Sequence, residues 1–94
     1  MNKLNQDQIS SNLLKLSGWS YENASISKQF QFKDFIEALS FVNTVGMESE
    51  KMDHHPDILM FAWNKVKITI STHDAGGVTE KDFSLAQKIE ERLK

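Results

Sequence analysis

The spacing of apolar residues along the chain predicts three amphipathic helices. Between positions 6 and 16 apolar side chains recur about every 3.6 residues, and Gly18 follows as a suitable stop. A second helical pattern extends from about position 34 to about position 51, and Asp34 precedes Glu37 by three residues, as in a capping box. A third pattern begins after Thr79, a residue type favoured at helix N-caps, and finishes the chain.

Alternating apolar and polar residues predict four strands, arranged as two hairpins. The first hairpin joins residues 19–23 to residues 26–32, and the second joins residues 58–63 to residues 66–72. A two-residue turn at Asn64 and Lys65 would close the second hairpin and pair Trp63 with Val66. This register would place six large apolar side chains on one face of the hairpin: Leu59, Phe61, Trp63, Val66, Ile68 and Ile70.

The predicted elements follow the order α-β-β-α-β-β-α. Strands joined in hairpins are antiparallel, so the expected fold class is α+β, with a four-stranded antiparallel sheet and helices packed on one face. A chain of 94 residues suits a single domain, and we expect residues 1–94 to form one.

Composition narrows the possible functions. The chain has no cysteine, so disulfides, a thiolate nucleophile and a cysteine-ligated zinc site are excluded. The formal net charge of −2 disfavours a direct interaction with nucleic acid. The sequence has neither a signal-peptide pattern nor a run of roughly 18 apolar residues, so we expect a cytoplasmic protein that does not interact with membranes.

All three histidines lie between positions 54 and 73, which makes this region the candidate for chemistry. In the predicted register Pro56 lies across from His73, so His54, His55 and His73 would converge at one end of the hairpin. Free imidazole has a pKa of about 6.5, which suits general acid and base catalysis near neutral pH. Carboxylates that would orient the rings are close to them in sequence: Glu50, Asp53, Asp57, Asp74 and Asp82.

Other interpretations of these residues stay open. Adjacent histidines before a proline also occur in polar loops, and Asp82 is explained equally well as the capping-box partner of Thr79. Histidine and carboxylate side chains bind zinc and non-haem iron, but His54 and His55 point to opposite sides of an extended segment and cannot easily share one ion. Ser71 lies inside a predicted strand and lacks the sequence context of a nucleophilic serine.

The order of these residues resembles the signature of the pterin-4a-carbinolamine dehydratases. The matching residues, in order, are Glu50-x3-His54-His55-Pro56, Trp63-Asn64, Ser71-Thr72-His73, Gly77, Thr79 and Asp82. Gly18-Trp19, the run at residues 30–35 and the last helix extend the resemblance over nearly the whole chain. The fold of that family agrees with the order of elements predicted from the pattern.

The resemblance implies an enzyme that removes water from 4a-hydroxytetrahydropterins to give quinonoid dihydropterins during tetrahydrobiopterin recycling. It implies a pterin substrate and no metal or organic cofactor. It also implies that His54 and His73 act as acid catalysts, and that His55 binds the substrate and serves as a base. The residues expected to bind or orient are Glu50, Asp53, Ser71, Thr72 and, at the edge of the pocket, Asp82.

Two features depart from the family pattern. Six residues separate Pro56 from the aromatic residue at position 63, where many relatives have five, and the extra residue predicts a bulge that shifts the register by one. Lys81 stands where animal relatives commonly carry arginine, so a planar bidentate donor is replaced by a point charge.

The resemblance also implies alternative functions and an assembly of several copies. Animal members of the family serve as dimerisation cofactors of a homeodomain transcription factor, so one alternative is a non-catalytic protein-binding module. Pterin handling linked to molybdenum cofactor is another. We expect a homodimer or homotetramer, because the second face of the predicted hairpin carries Ile58, Met60 and Ala62 and the sheet has exposed edges.

Overall fold

Residues 2–94 are described by a computed structural model, and they form three helices, four strands and a short 3₁₀ turn over His73–Ala75. In chain order the helices and strands are α1 (Gln6–Leu13), β1 (Ser20–Glu22), β2 (Ser25–Gln31), α2 (Phe35–Met52), β3 (Asp57–Phe61), β4 (Lys65–Ile70) and α3 (Glu80–Arg92). The predicted order of elements and the α+β class are confirmed.

The four strands form one antiparallel sheet in the order β1-β2-β4-β3. Strand β4 is interior, and its alternating residues show which face is covered. Val66, Ile68 and Ile70 have no exposed surface, whereas Lys67 between them is exposed. The helices cover the face that carries the three apolar side chains, so the opposite face stays open to solvent.

Helices α2 and α3 begin at the capping residues that the sequence predicts. The Asp34 carboxylate accepts a hydrogen bond of 2.9 Å from the Glu37 N–H, and Thr79 caps α3. Helix α1 is shorter than predicted: it ends at Leu13, whereas the apolar pattern extends to position 16. Leu14, which that pattern counts as apolar-face, is 88% exposed. None of the helices within residues 2–94 is both long enough and apolar enough to cross a bilayer.

The register of the second hairpin differs from the prediction. Phe61 pairs with Lys65, so the turn consists of residues 62–64 rather than of Asn64 and Lys65. The predicted pairing of Trp63 with Val66 is therefore wrong, as are the other pairs that followed from it. Every residue of β3 pairs with β4 in unbroken succession, so the predicted bulge is also wrong.

The shift from the predicted register is three residues, and an odd shift exchanges the two faces of a strand. Ile58 and Met60 were expected on the outer face, but both pack against the core. Leu59 and Trp63 were expected on the inner face, but they are 55% and 61% exposed. Ala62 lies in the turn and is exposed.

A tertiary contact of the turn explains this register. Asn64 is buried, its side-chain amide donates to the Phe32 carbonyl at 2.7 Å, and its carbonyl accepts from the Phe32 N–H at 2.9 Å. These two hydrogen bonds hold Asn64 against the segment after β2 and take it out of the hairpin ladder. Ala62 and Trp63 reverse the chain with φ values of 49° and 72°, in the left-handed region.

The core between sheet and helices contains a cluster of aromatic rings. The centroid of the Phe30 ring lies 6.1 Å from that of Trp19 and 4.7 Å from that of Phe41. Beside this cluster the Lys28 ammonium contacts the Glu90 carboxylate at 2.8 Å, and the Trp19 ring N–H donates to the same oxygen at 2.8 Å. These contacts fix α3 to β2 and to the segment before β1.

Candidate functional site

A cavity of about 570 Å³ opens where α2 ends and α3 begins. All three histidines line it, namely His54, His55 and His73. Two aspartates, Asp53 and Asp74, complete this part of the wall. The cavity therefore brings three imidazoles and two carboxylates together.

The histidines meet for a reason other than the predicted register. Pro56 does not lie across from His73, because β3 begins only at Asp57, which pairs with Thr69. The segment that enters β3 and the segment that leaves β4 lie side by side, since the two strands are antiparallel neighbours. His54 and His55 lie on the first of these segments, and His73 lies on the second.

The end of α2 directs its two histidines to different surroundings. Asp53 terminates the helix in the left-handed conformation, with a φ of 51°. The N–H of Asp53 donates to the Glu50 carbonyl at 3.1 Å, and the N–H of His54 donates to the Ser49 carbonyl at 3.0 Å. After this turn His54 is only 9% exposed, whereas the side chain of His55 is 58% exposed.

His54 is held by a buried carboxylate. Its Nε2 lies 2.6 Å from Oδ1 of Asp82, which has no exposed surface. The other carboxylate oxygen accepts from the Thr72 hydroxyl and from the Thr79 backbone N–H, each at 2.8 Å. A carboxylate can only accept, so Nε2 of His54 carries the proton and Nδ1 is left for exchange with a bound molecule. Asp82 thus lies behind His54 and not at the edge of the pocket, where it was expected.

His55 has a carboxylate partner of a different kind. Its Nε2 lies 2.7 Å from Oε1 of Glu50, and the Glu50 side chain is 80% exposed. Solvent screens such a pair, so it orients the imidazole more than it stabilises the fold. Glu50 reaches the cavity only through His55.

The third histidine is carried by a closed loop after β4. The Thr72 N–H donates to the Gly77 carbonyl at 2.8 Å and closes the loop at its base. Gly76 ends the 3₁₀ turn with a φ of 72°, which glycine adopts without strain. Ser71 and Thr72 line the cavity at the start of this loop, and His73 follows them.

The cavity also contains groups to which sequence analysis assigned no catalytic or binding role. Lys81, in the first turn of α3, brings a positive charge to a wall that also carries two aspartates, and Ala75 is a further lining residue. Lys81 could have been predicted as a cavity residue, because it lies in the first turn of the helix that follows the loop with His73. Within residues 2–94 no three histidine, aspartate or glutamate side chains are arranged to hold a metal ion.

The chain is similar in sequence to a known protein family. Residues 2–92 match the family model described as pterin 4 alpha carbinolamine dehydratase. Two similar proteins are both named "Putative pterin-4-alpha-carbinolamine dehydratase". The protein from Sulfolobus acidocaldarius is 47% identical over 87 residues, which cover 93% of this chain and 94% of the relative. The protein from Trichormus variabilis is 49% identical over 86 residues, which cover 92% and 91%.

Solved structures are similar as well. The crystal structure of a transcriptional coactivator/pterin dehydratase from Brucella melitensis superposes with a TM-score of 0.90 at 36% identity, over 96% of this chain and 97% of the other. A pterin dehydratase-like protein, described as a RuBisCO assembly factor in the alpha-carboxysome, superposes with a TM-score of 0.62 over 78% of this chain and 83% of the other. Its identity of 20% makes it a likeness of fold alone.

Proposed function

Because the chain belongs to the pterin-4a-carbinolamine dehydratase family, we propose that its three histidines remove water from a 4a-hydroxytetrahydropterin by acid and base catalysis. Membership confirms the predicted family and, with it, the lyase class. The observation that supports the histidine mechanism is the contact of 2.6 Å between His54 and the buried Asp82, next to two more imidazoles in one cavity.

The reaction requires one proton to be given and one to be taken. The N5 lone pair forms a double bond to C4a while the bond from C4a to its hydroxyl oxygen breaks. A protonated imidazole donates to the departing oxygen, so that water leaves, and a neutral imidazole takes the proton from N5. The products are quinonoid dihydropterin and water, and solvent returns the proton from the base to the acid.

We assign the acid role to His54 and His73, and substrate binding together with the base role to His55. Asp82 fixes the proton of His54 on Nε2, so the proton that reaches the substrate leaves from Nδ1. Glu50 orients His55 through its contact of 2.7 Å.

The remaining wall residues would bind and orient the substrate. Ser71 and Thr72 line the cavity, and we propose that this segment meets the flat, hydrogen-bonding edge of a pterin ring. Asp53 lies on the wall directly before the two histidines. We therefore propose that Asp53 helps to orient the imidazoles and the bound ring.

Dehydration of the substrate tests the proposal directly. We expect the wild type to accelerate the absorbance decay of freshly generated 4a-hydroxytetrahydropterin, and we expect His54→Ala and His73→Ala each to lower the rate by about 10² or more. Gln29→Ala is the matched control, because Gln29 is exposed within β2 and distant in sequence from the cavity residues. A wild-type rate equal to that of buffer would refute the proposed function.

We also propose that the protein is a homo-oligomer in which the outer side of α2 faces a second copy. Ile36, Leu39 and Met47 are 67%, 40% and 58% exposed on this helix. Gly46 lies between them, and a Cβ added there would meet nothing within 4 Å. A glycine inside a helix costs about 1 kcal/mol relative to alanine, and it permits close approach by another helix. The edge strand β3 offers unpaired backbone groups on the same side of the sheet as α2.

The mass of the particle in solution tests this assembly. We expect light scattering after size exclusion to give two or four times the chain mass of 10.8 kDa. Leu39→Glu is expected to yield a monomer, because a charge would be buried in the contact. Leu14→Glu, at the exposed residue that directly follows α1, is the control and should leave the mass unchanged. A wild type that remains monomeric at high micromolar concentration would contradict the proposal.

A further inference from the structure

Thr79 is fully buried next to the carboxylate that holds His54, and its only role so far is to cap α3. Its hydroxyl oxygen lies 2.8 Å from that of Thr72, which in turn lies 2.8 Å from Oδ2 of Asp82. We propose that Thr79 and the side chain of Thr72 are positioning residues that act in series on Asp82, and through it on His54. The inference rests on the proposed function and deepens it by naming what sets the geometry of the acid group.

Counting protons gives the direction of this chain of hydrogen bonds. The Asp82 carboxylate only accepts, so the single hydroxyl proton of Thr72 points at Asp82. Thr72 must then accept in its contact with Thr79, whose own hydroxyl proton points at Thr72. The Thr79 oxygen also accepts from the Lys81 N–H at 3.2 Å. Each hydroxyl proton has one partner, so the chain runs one way, from Thr79 to Asp82.

One oxygen of the Asp82 carboxylate accepts hydrogen bonds from the two threonines, and the other oxygen accepts from His54. Oδ2 accepts from the Thr72 hydroxyl and from the Thr79 N–H, which leaves Oδ1 for Nε2 of His54 at 2.6 Å. Three donors on one buried carboxylate fix its rotation. They thereby fix both the orientation of the imidazole and the nitrogen that carries its proton.

The other nitrogen of His54 is open to the cavity. Within residues 2–94 no fully buried side-chain nitrogen or oxygen lacks a hydrogen-bond partner. Nδ1 of His54 makes no hydrogen bond in that part of the chain, so it must keep some exposed surface, and His54 lines the cavity. The two threonines therefore act to keep the proton of the neutral ring on Nε2, so that Nδ1 is the nitrogen that takes up the catalytic proton and donates it to the substrate.

The serial arrangement provides the test. We would prepare Thr72→Val, Thr79→Val and the double variant, and record the ¹⁵N signals of the His54 ring without substrate, since these report which nitrogen carries the proton. Each single variant is expected to raise the share of rings protonated on Nδ1 and to lower kcat about tenfold. Because the Thr79 hydroxyl acts only through Thr72, and every variant keeps the Thr79 N–H that donates to Asp82, the double variant should match Thr72→Val in both measurements.

Controls separate positioning from helix capping. Thr79→Ser keeps the hydroxyl and should restore the wild-type ring signals. Asp34→Ala removes the cap of α2 and is expected to lower the melting temperature by about 4–8 °C without moving the His54 signals. If Thr79→Val does not fold, Thr79→Gly replaces it, because glycine is nearly as good a cap.

The outcomes are distinct from those of the activity assay. Unchanged His54 signals in the Thr79 variant would overturn the inference, as would a double variant whose losses multiply to about a hundredfold. A wild type without dehydratase activity would refute the proposed function, but the ring signals would still show whether the threonines position His54.

Discussion

Replacing Asp82 with asparagine is expected to lower the dehydration rate by about 10²- to 10⁴-fold while the protein remains folded. Three donors converge on this side chain: Nε2 of His54, the Thr72 hydroxyl and the Thr79 N–H. An amide offers one acceptor oxygen where the carboxylate offers two. The simplest rearrangement lets the amide donate to Nε2, which keeps the His54 ring neutral with its proton on Nδ1, and a neutral imidazole is a far weaker acid than the imidazolium that the proposed step needs.

The rate of absorbance decay at saturating substrate measures this effect, and circular dichroism confirms the fold. Asp34→Asn is the matched control, since it makes the same chemical change at another helix N-cap and asparagine caps as well as aspartate does. Its rate should equal that of the wild type. A rate for Asp82→Asn within threefold of the wild type would contradict the role of the buried carboxylate.

Replacing Phe30 with alanine is expected to lower the free energy of unfolding by about 3–5 kcal/mol. Phe30 is 6% exposed and contacts the rings of Trp19 and Phe41, and the Lys28 ammonium lies 4.9 Å from its centroid. Its removal leaves a cavity where a strand, a loop and a helix meet. Small proteins are stable by only about 5–15 kcal/mol, so this loss is a large share of the total free energy of unfolding.

Urea unfolding followed by tryptophan fluorescence measures this loss at a fixed protein concentration, because assembly would add to apparent stability. Leu14→Ala is the control: Leu14 is also apolar, but it is 88% exposed, and we expect a change within about 0.5 kcal/mol. A loss below about 1 kcal/mol for Phe30→Ala would show that the aromatic cluster is not the centre of the core.

Local patterns predicted the elements well, because the physics that forms them is local. Asp34 and Thr79 start their helices as expected, since a cap needs only its own side chain and the next backbone N–H groups. The register of the second hairpin could not be predicted in this way. It depends on the two hydrogen bonds between Asn64 and Phe32, residues that are 32 positions apart.

The candidate site was predictable to a similar extent. That His54, His55 and His73 meet follows from two neighbouring antiparallel strands, and it holds even though the predicted pairing was wrong. The burial of Asp82 behind His54 was not predictable, because a capping box alone explains that residue in sequence. Only the packing of the start of α3 against the end of α2 makes the same carboxylate a partner of the imidazole.

The contact between His54 and Asp82 joins the end of α2 to the start of α3. The two residues are 28 positions apart in the chain. Under the proposed mechanism, selection for activity therefore also acts on the hairpin between them, although no residue of β3 or β4 lines the cavity. A substitution in this hairpin that moves one helix by about half an ångström changes the distance between imidazole and carboxylate. We expect such a change to lower the activity. The proposed mechanism thus predicts that substitutions in β3 and β4 change the rate as well as the stability.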